Sequence, residues 1–165
     1  MISVLKQVNT IITPVMKKII LSAFCFCTCF QLLAQSGNSY NKTLADSLGS
    51  DEYGMKMYVL VVLKTGPATF DKKTTDSLFN GHMANIGRLA TEGKLVVAGP
   101  LKKNDKNYRG IFIFNVKTIE EANKLLITDP AVNAKMLDTE LYEWYGSAAL
   151  PMYLPYHSKV QKKEM

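Results

Sequence analysis

Apolar positions along the chain change their period several times, and each change marks an element. Residues 57–63 form an unbroken, largely β-branched apolar run stopped by Thr65-Gly66-Pro67, which predicts a buried strand. Leu78, Phe79, Met83, Ile86, Leu89 and Ala90 then recur at helical spacing, and Gly93 stands where a helix would stop. Residues 94–98 and 109–116 predict two further strands, with the polar residues 102–107 as the hairpin loop between them. Thr118-Ile119-Glu120-Glu121 is a capping box, so a second helix opens there, with Ile119, Ala122, Leu125 and Leu126 on its apolar face. After Asp129-Pro130 and a short helical turn, residues 137–145 predict a last strand.

The resulting order, β-α-β-β-α-β, is the split βαβ or ferredoxin-like plan, an α+β fold in which two right-handed crossovers place both helices on one face of the sheet. The folded unit spans residues 56–145, enough for one modest core. The second sheet face then needs cover, and a homodimer packed sheet on sheet is the simplest way to supply it. Residues 35–55 are rich in Ser, Asn, Gly and Asp without a sustained apolar period and read as a polar linker. Residues 146–165 form an extension containing Pro151, Pro155 and several tyrosines, expected to pack over the domain or over a partner subunit.

Ahead of the linker the pattern is that of an export signal covering residues 1–34. Met16-Lys17-Lys18 is a basic n-region, residues 19–33 are almost wholly apolar, and Ala34 offers a small residue at a cleavage point. Met16 is therefore also a candidate natural start. A retained anchor helix is the alternative, against which the polar residues 36–41 follow at once with no basic stop-transfer cluster. Export implies a secreted or periplasmic protein with no membrane attachment after processing. Cys25, Cys27 and Cys29 all fall inside the apolar run, which leaves the mature chain neither a disulfide nor a thiol nucleophile.

Removal of the signal also changes the charge. Taking Lys6, Lys17 and Lys18 from the 20 basic side chains leaves 17 against 14 acidic ones, lowering the net charge from +6 to +3. Spread without a dense run, these charges make no nucleic-acid footprint. The cluster from Lys102 to Lys106 reads as a solvated hairpin tip.

Candidate chemistry is sparse. With Leu78 at zero and about 100° per residue, the apolar face of the first helix spans about 20° to 140°, and His82 falls at about 40°, inside it. Its ring therefore points at the sheet and must find partners there. One reading is a core histidine satisfied by a backbone carbonyl; the other is a general acid or base in a pocket between helix and sheet. Asp129 is a candidate partner that fixes the ring's tautomer, and equally a helix N-cap with Pro130 at the first helical position. Those two roles are compatible, because a carboxylate has two oxygens. Gly99-Pro100 is either a pocket wall or a plain turn, and Arg109 either reaches an anionic substrate or edges the sheet. Arg88, near about 280°, should face solvent. Tyr142 and Trp144 line either a dimer interface or the core. Two separated histidines without a mature cysteine argue against zinc, and no phosphate-binding glycine loop or nucleophile elbow is present.

Taken in order, the first strand, the helix carrying His82, Glu92-Gly93-Lys94-Leu95 leading to Ala98-Gly99-Pro100, the hairpin, Ile119-Glu120-Glu121-Ala122 and Asp129-Pro130-Ala131-Val132 resemble the YCII-related family. The resemblance covers residues 57–144 and implies a dimeric α+β barrel. It further implies a homodimer in which His82 and Asp129 form a catalytic pair, working by proton abstraction or elimination on a small molecule without cofactor. The alternative is a non-catalytic module for ligand binding or dimerisation; a heme-dependent monooxygenase on the same fold is a third class. The chain departs from the family pattern in Phe79-Asn80-Gly81 ahead of the histidine. Ala131 also stands where a bulky aromatic is usual after Asp-Pro, which implies a wider or differently shaped pocket.

Overall fold

The structure, a computed structural model, describes residues 40–163. The export segment expected up to Ala34 lies outside the described residues. Within them, no helix is long and apolar enough to cross a membrane.

The β-branched run extends into an eleven-residue strand, β1 (Met55–Thr65). It pairs antiparallel with β3 (Tyr108–Phe114) on one side and β4 (Leu137–Ser147) on the other, and β2 (Leu95–Pro100) joins the far edge of β3. The four-stranded order is β2-β3-β1-β4. This is the ferredoxin-like α+β arrangement, with each helical crossover linking two strands that have a third between them.

Alternation along β1 separates the two faces. Val59, Val61 and Leu63 join Phe112, Phe114 and Leu95 on one face, where they pack with Leu89, Ala122 and Leu126 from the helices. Tyr58, Leu60 and Val62 turn to the opposite face, opposed across β4 to Trp144, Tyr142 and Glu140.

Between β1 and β2 runs the long helix α2 (Lys72–Thr91). It starts six residues before its first apolar contact, because Asp71 caps it, accepting from the Thr74 N–H at 2.7 Å. At the other end Gly93, with φ of 66°, donates to the Ala90 carbonyl while Lys94 donates to that of Leu89. This is a Schellman closure, which requires the left-handed conformation that glycine adopts without strain. The short helix α3 (Ile119–Leu126) opens on Thr118, whose hydroxyl accepts from Glu121 N–H, while the Glu121 carboxylate reaches back to Lys117 N–H rather than to Thr118. A single turn, α4 (Pro130–Asn133), then precedes β4.

Of the two outer segments, one departs from expectation and the other packs over the domain. The polar linker contains a seven-residue helix, α1 (Lys42–Leu48), and its following turn is anchored: Asp51 accepts from Tyr53 and Met55 N–H and from the Tyr145 hydroxyl. These bonds hold the Asp51 carboxyl below its ordinary range, the Tyr145 contact contributing most. Short polar stretches stabilised by side-chain-to-backbone bonds carry no apolar period, so the linker reading missed them. At the other end, residues after β4 fold back over the second sheet face. Leu150 packs on Tyr58, Val96 and Ile113, the Tyr58 hydroxyl donates to Ser147 O at 2.8 Å, and the Tyr153 hydroxyl donates to Val96 O. A 3₁₀ turn (Leu150–Tyr153) and α5 (Leu154–Val160) complete this extension.

Candidate functional site

His82 lies mid-way along α2 with 7% of its surface exposed, its ring stacked on Phe112 at 5.7 Å between centroids. Phe79, one turn earlier, places its ring 6.1 Å away and stays 53% exposed, at the rim rather than in the core its helical position predicts.

Asp129 meets the imidazole from the far side. As N-cap of α4 its Oδ1 accepts from Ala131 N–H at 2.9 Å and Val132 N–H at 3.4 Å, and its Oδ2 lies 2.7 Å from His82 Nδ1. One oxygen caps and the other receives the histidine. An ionised carboxylate only accepts, so a neutral ring facing one carries its proton on Nδ1 and leaves Nε2 bare. No other hydrogen bond reaches the ring among the described residues. None of their buried side-chain nitrogens or oxygens lacks a partner, so Nε2 is not sealed from solvent.

Gly81 explains how two helices bring these groups so close. A Cβ added there would stand 2.8 Å from Pro130 Cγ, well inside van der Waals contact. A bare Cα is what lets α2 approach α4, at an intrinsic helix cost of about 1 kcal/mol relative to alanine. The glycine of Phe79-Asn80-Gly81 thus has a packing reason. Ala131, directly after Asp129-Pro130, is fully buried with its N–H held by Asp129.

A second set of polar contacts lies beside the pair. The buried Asn85 accepts through Oδ1 from Arg88 at 2.8 Å and from the Thr128 hydroxyl at 3.0 Å. Arg88 also donates to Thr128 Oγ1 at 2.9 Å and to Glu92 at 2.7 Å. Arg88 is exposed as its helical angle predicts, yet three hydrogen bonds engage it.

The remaining sequence candidates do not join the pair. Gly99 and Pro100 form the end of β2, paired with Ile111 and Gly110, rather than a turn. Pairing puts Pro100 and Ala98 on the helix-side face with Gly110 and Phe112, while Gly99 belongs to the opposite face. Ala98 and Pro100 are exposed, so the sheet edge beside Phe112 is not roofed by α2. Arg109 stands at the irregularity where β1 and β3 lose register, its side chain exposed and without contact to His82 or Asp129. A shallow groove lined by Leu48, Lys56, Asn115 and Lys117 does not include the pair. There burial pushes the Lys56 ammonium below its ordinary pKa, its Nζ donating to Leu48 O at 3.0 Å. Among the described residues no group of three or more His, Cys, Asp or Glu side chains is placed to hold a metal.

Gly81, Phe112, Asn85 and the rim position of Phe79 are what sequence reasoning missed. A glycine in mid-helix, one residue before an inward histidine, was the available signal for the first.

A four-stranded α+β sandwich with a buried imidazole-carboxylate contact between α2 and an Asp-Pro turn defines a small ferredoxin-like class. Within it, the family model for the YCII-related domain matches residues 57–145, and the chain belongs to that family. No curated protein matches the chain. Among solved structures it is similar to 5-chloro-2-hydroxyhydroquinone dehydrochlorinase from Burkholderia phenoliruptrix, in complex with 2,5-dihydroxybenzoquinone, at 21% identity and a TM-score of 0.40. That match covers 53% of this chain and 92% of the other.

Proposed function

We propose that this YCII-related protein, exported by its N-terminal segment, is a cofactor-independent lyase or isomerase that moves a proton on a small molecule with His82. The observation that carries the reading is the 2.7 Å contact between His82 Nδ1 and Asp129 Oδ2, with Nε2 left without a partner. In this reading Nε2 takes a proton from an acidic C–H of the substrate. The C–H electron pair becomes a new double bond, expelling a leaving group in an elimination or migrating in an isomerisation. Asp129 steadies the imidazolium so formed, and Nε2 then returns the proton to the leaving group, to the shifted carbon or to water. Such general-base assistance contributes typically about 10²- to 10⁴-fold in rate. The exposed edge by Ala98 and Pro100, with Phe79 at the rim, is where a substrate would enter. The protein works as a homodimer whose subunits meet through the half-buried remainder of the second sheet face, Leu60, Val62, Ile111 and Tyr142.

A non-catalytic binding module is the second reading, favoured by the ring's burial against Phe112. A thermal-shift ligand screen on the mature protein and on His82→Ala, followed by turnover assays on every hit, separates the two. A ligand bound by both proteins and converted only by the wild type supports the enzyme. Hits that the wild type binds and never converts support the module.

A further inference from the structure

We infer that Asn85, Thr128 and Arg88 are positioning residues: together they clasp the α3–α4 turn to α2 and thereby aim Asp129 Oδ2 at His82 Nδ1. This deepens the proposed function and rests on it for its catalytic meaning.

The contacts form two neighbouring rungs between the same two segments. One rung joins His82 to Asp129; the other joins Asn85, three residues further along α2, to Thr128, one residue before Asp129. Residues three apart on a helix share a face, so the two rungs stack along one seam. Pro130 against Gly81 closes the seam on its other side.

Donor arithmetic fixes the orientation of each group. Arginine only donates, so the Asn85 atom that faces Arg88 must be its oxygen, and the amide cannot flip. The Thr128 hydroxyl has one proton, shared between Leu125 O at 2.7 Å and Asn85 Oδ1 at 3.0 Å, while its lone pairs receive Arg88. Arg88 is itself steadied by Glu92 one turn on. Thr128 is thus held by three partners, and its backbone carries Asp129.

Core packing does not call for this arrangement. Asparagine is a poor residue for a buried helical position, since its amide must be matched by partners that a leucine would not need. The matching partners here, Arg88 and Thr128, are exposed and contribute nothing to the apolar cluster. What the clasp does supply is a fixed azimuth for the Asp129 carboxylate, whose Oδ1 is pinned to Ala131 and Val132 N–H and whose Oδ2 must therefore point wherever the turn directs it. A small rotation of that turn would let His82 take the alternative tautomer, with the proton on Nε2 and no base facing the substrate.

The test reads the tautomer directly, by two-bond ¹H–¹⁵N correlation on imidazole-labelled protein at neutral pH. His157 is the one other histidine in the chain, so a His157→Gln background leaves a single ring to observe. Arg88→Ala and Thr128→Val are expected to stay folded, because both sites are exposed, and to lose the dominant Nδ1–H pattern of His82. Thr128→Ser, which keeps the hydroxyl, is expected to retain it. Folded Arg88→Ala and Thr128→Val proteins that keep the wild-type pattern while losing only melting temperature would overturn the clasp and leave the His82–Asp129 pair standing. An Nε2–H pattern in the unsubstituted ring would overturn the pair itself, and the clasp with it.

Discussion

At Gly81 the absence of one methyl group decides whether His82 and Asp129 touch. The helix gives up intrinsic propensity at this position, and the return is a 2.7 Å contact made inside a buried seam. Gly81→Val forces its branched side chain into Pro130, and we expect a loss of about 1–3 kcal/mol in denaturant unfolding, typical of overpacking. The stability loss is the lesser consequence. Because the displaced turn carries Asp129, activity found in the ligand screen should fall with it, whereas an exposed change such as Lys94→Ala should leave both unchanged. Helical angle alone aims His82 inward, and Asp-Pro alone marks a cap; both were legible in the sequence. That the cap's second oxygen could serve the imidazole was legible too; that it meets the ring at 2.7 Å depends on how closely two segments far apart in sequence approach. Phe112 was hidden for a similar reason, because alternation along β3 says which face a residue takes but not which helical side chain lands on it.

At the scale of elements, strand and helix identities followed from periodicity, and their ends followed from chemistry that periodicity does not carry. The start of α2 depends on a cap at Asp71 followed by a polar first turn, and α1 has no buried residue at all. The end of β4 shows another such device. A Cβ on Gly146 would stand 2.5 Å from the Trp144 ring, which lies back across the backbone beside Tyr58. That fold-back lets the chain cross to the second face, where Leu150 and the Tyr153 hydroxyl dock. Gly146→Ala should therefore displace the ring and cost about 1–3 kcal/mol. Trp144 is the single tryptophan of the chain, so its emission spectrum reports the displacement without ambiguity. An unchanged spectrum and melting temperature would show that the extension docks independently of this contact.

For the whole molecule, the two faces of the sheet have different fates. One is closed by α2 and α3 around Val59, Val61 and Phe114, all fully buried. The other is closed by the C-terminal extension only at the Tyr58 end, and at the opposite end carries the ion pair of Lys64 with Glu140 at 2.8 Å. Between them Leu60, Val62 and Ile111 stay half-buried and Tyr142 is 51% exposed. This is the surface through which the proposed homodimer would form. Light scattering after gel filtration should give twice the chain mass for the mature wild type and the chain mass for Tyr142→Lys; a monomeric wild type would refute the dimer. The sequence foresaw this uncovered face from topology alone, but assigned the extension no definite seat, because Pro- and Tyr-rich segments carry no period that selects a docking surface.

The proposed chemistry depends most on which nitrogen of His82 carries the proton. The ¹⁵N spectrum of the neutral ring, compared between wild type and Asp129→Asn, reads this in one experiment. A carboxylate at position 129 requires Nδ1–H and a bare Nε2, and its amide replacement, presenting N–H₂ to the ring, should reverse the tautomer to Nε2–H. A wild-type ring already protonated on Nε2, or one indifferent to the substitution, would contradict a base aimed at substrate and leave His82 a packed residue of the seam.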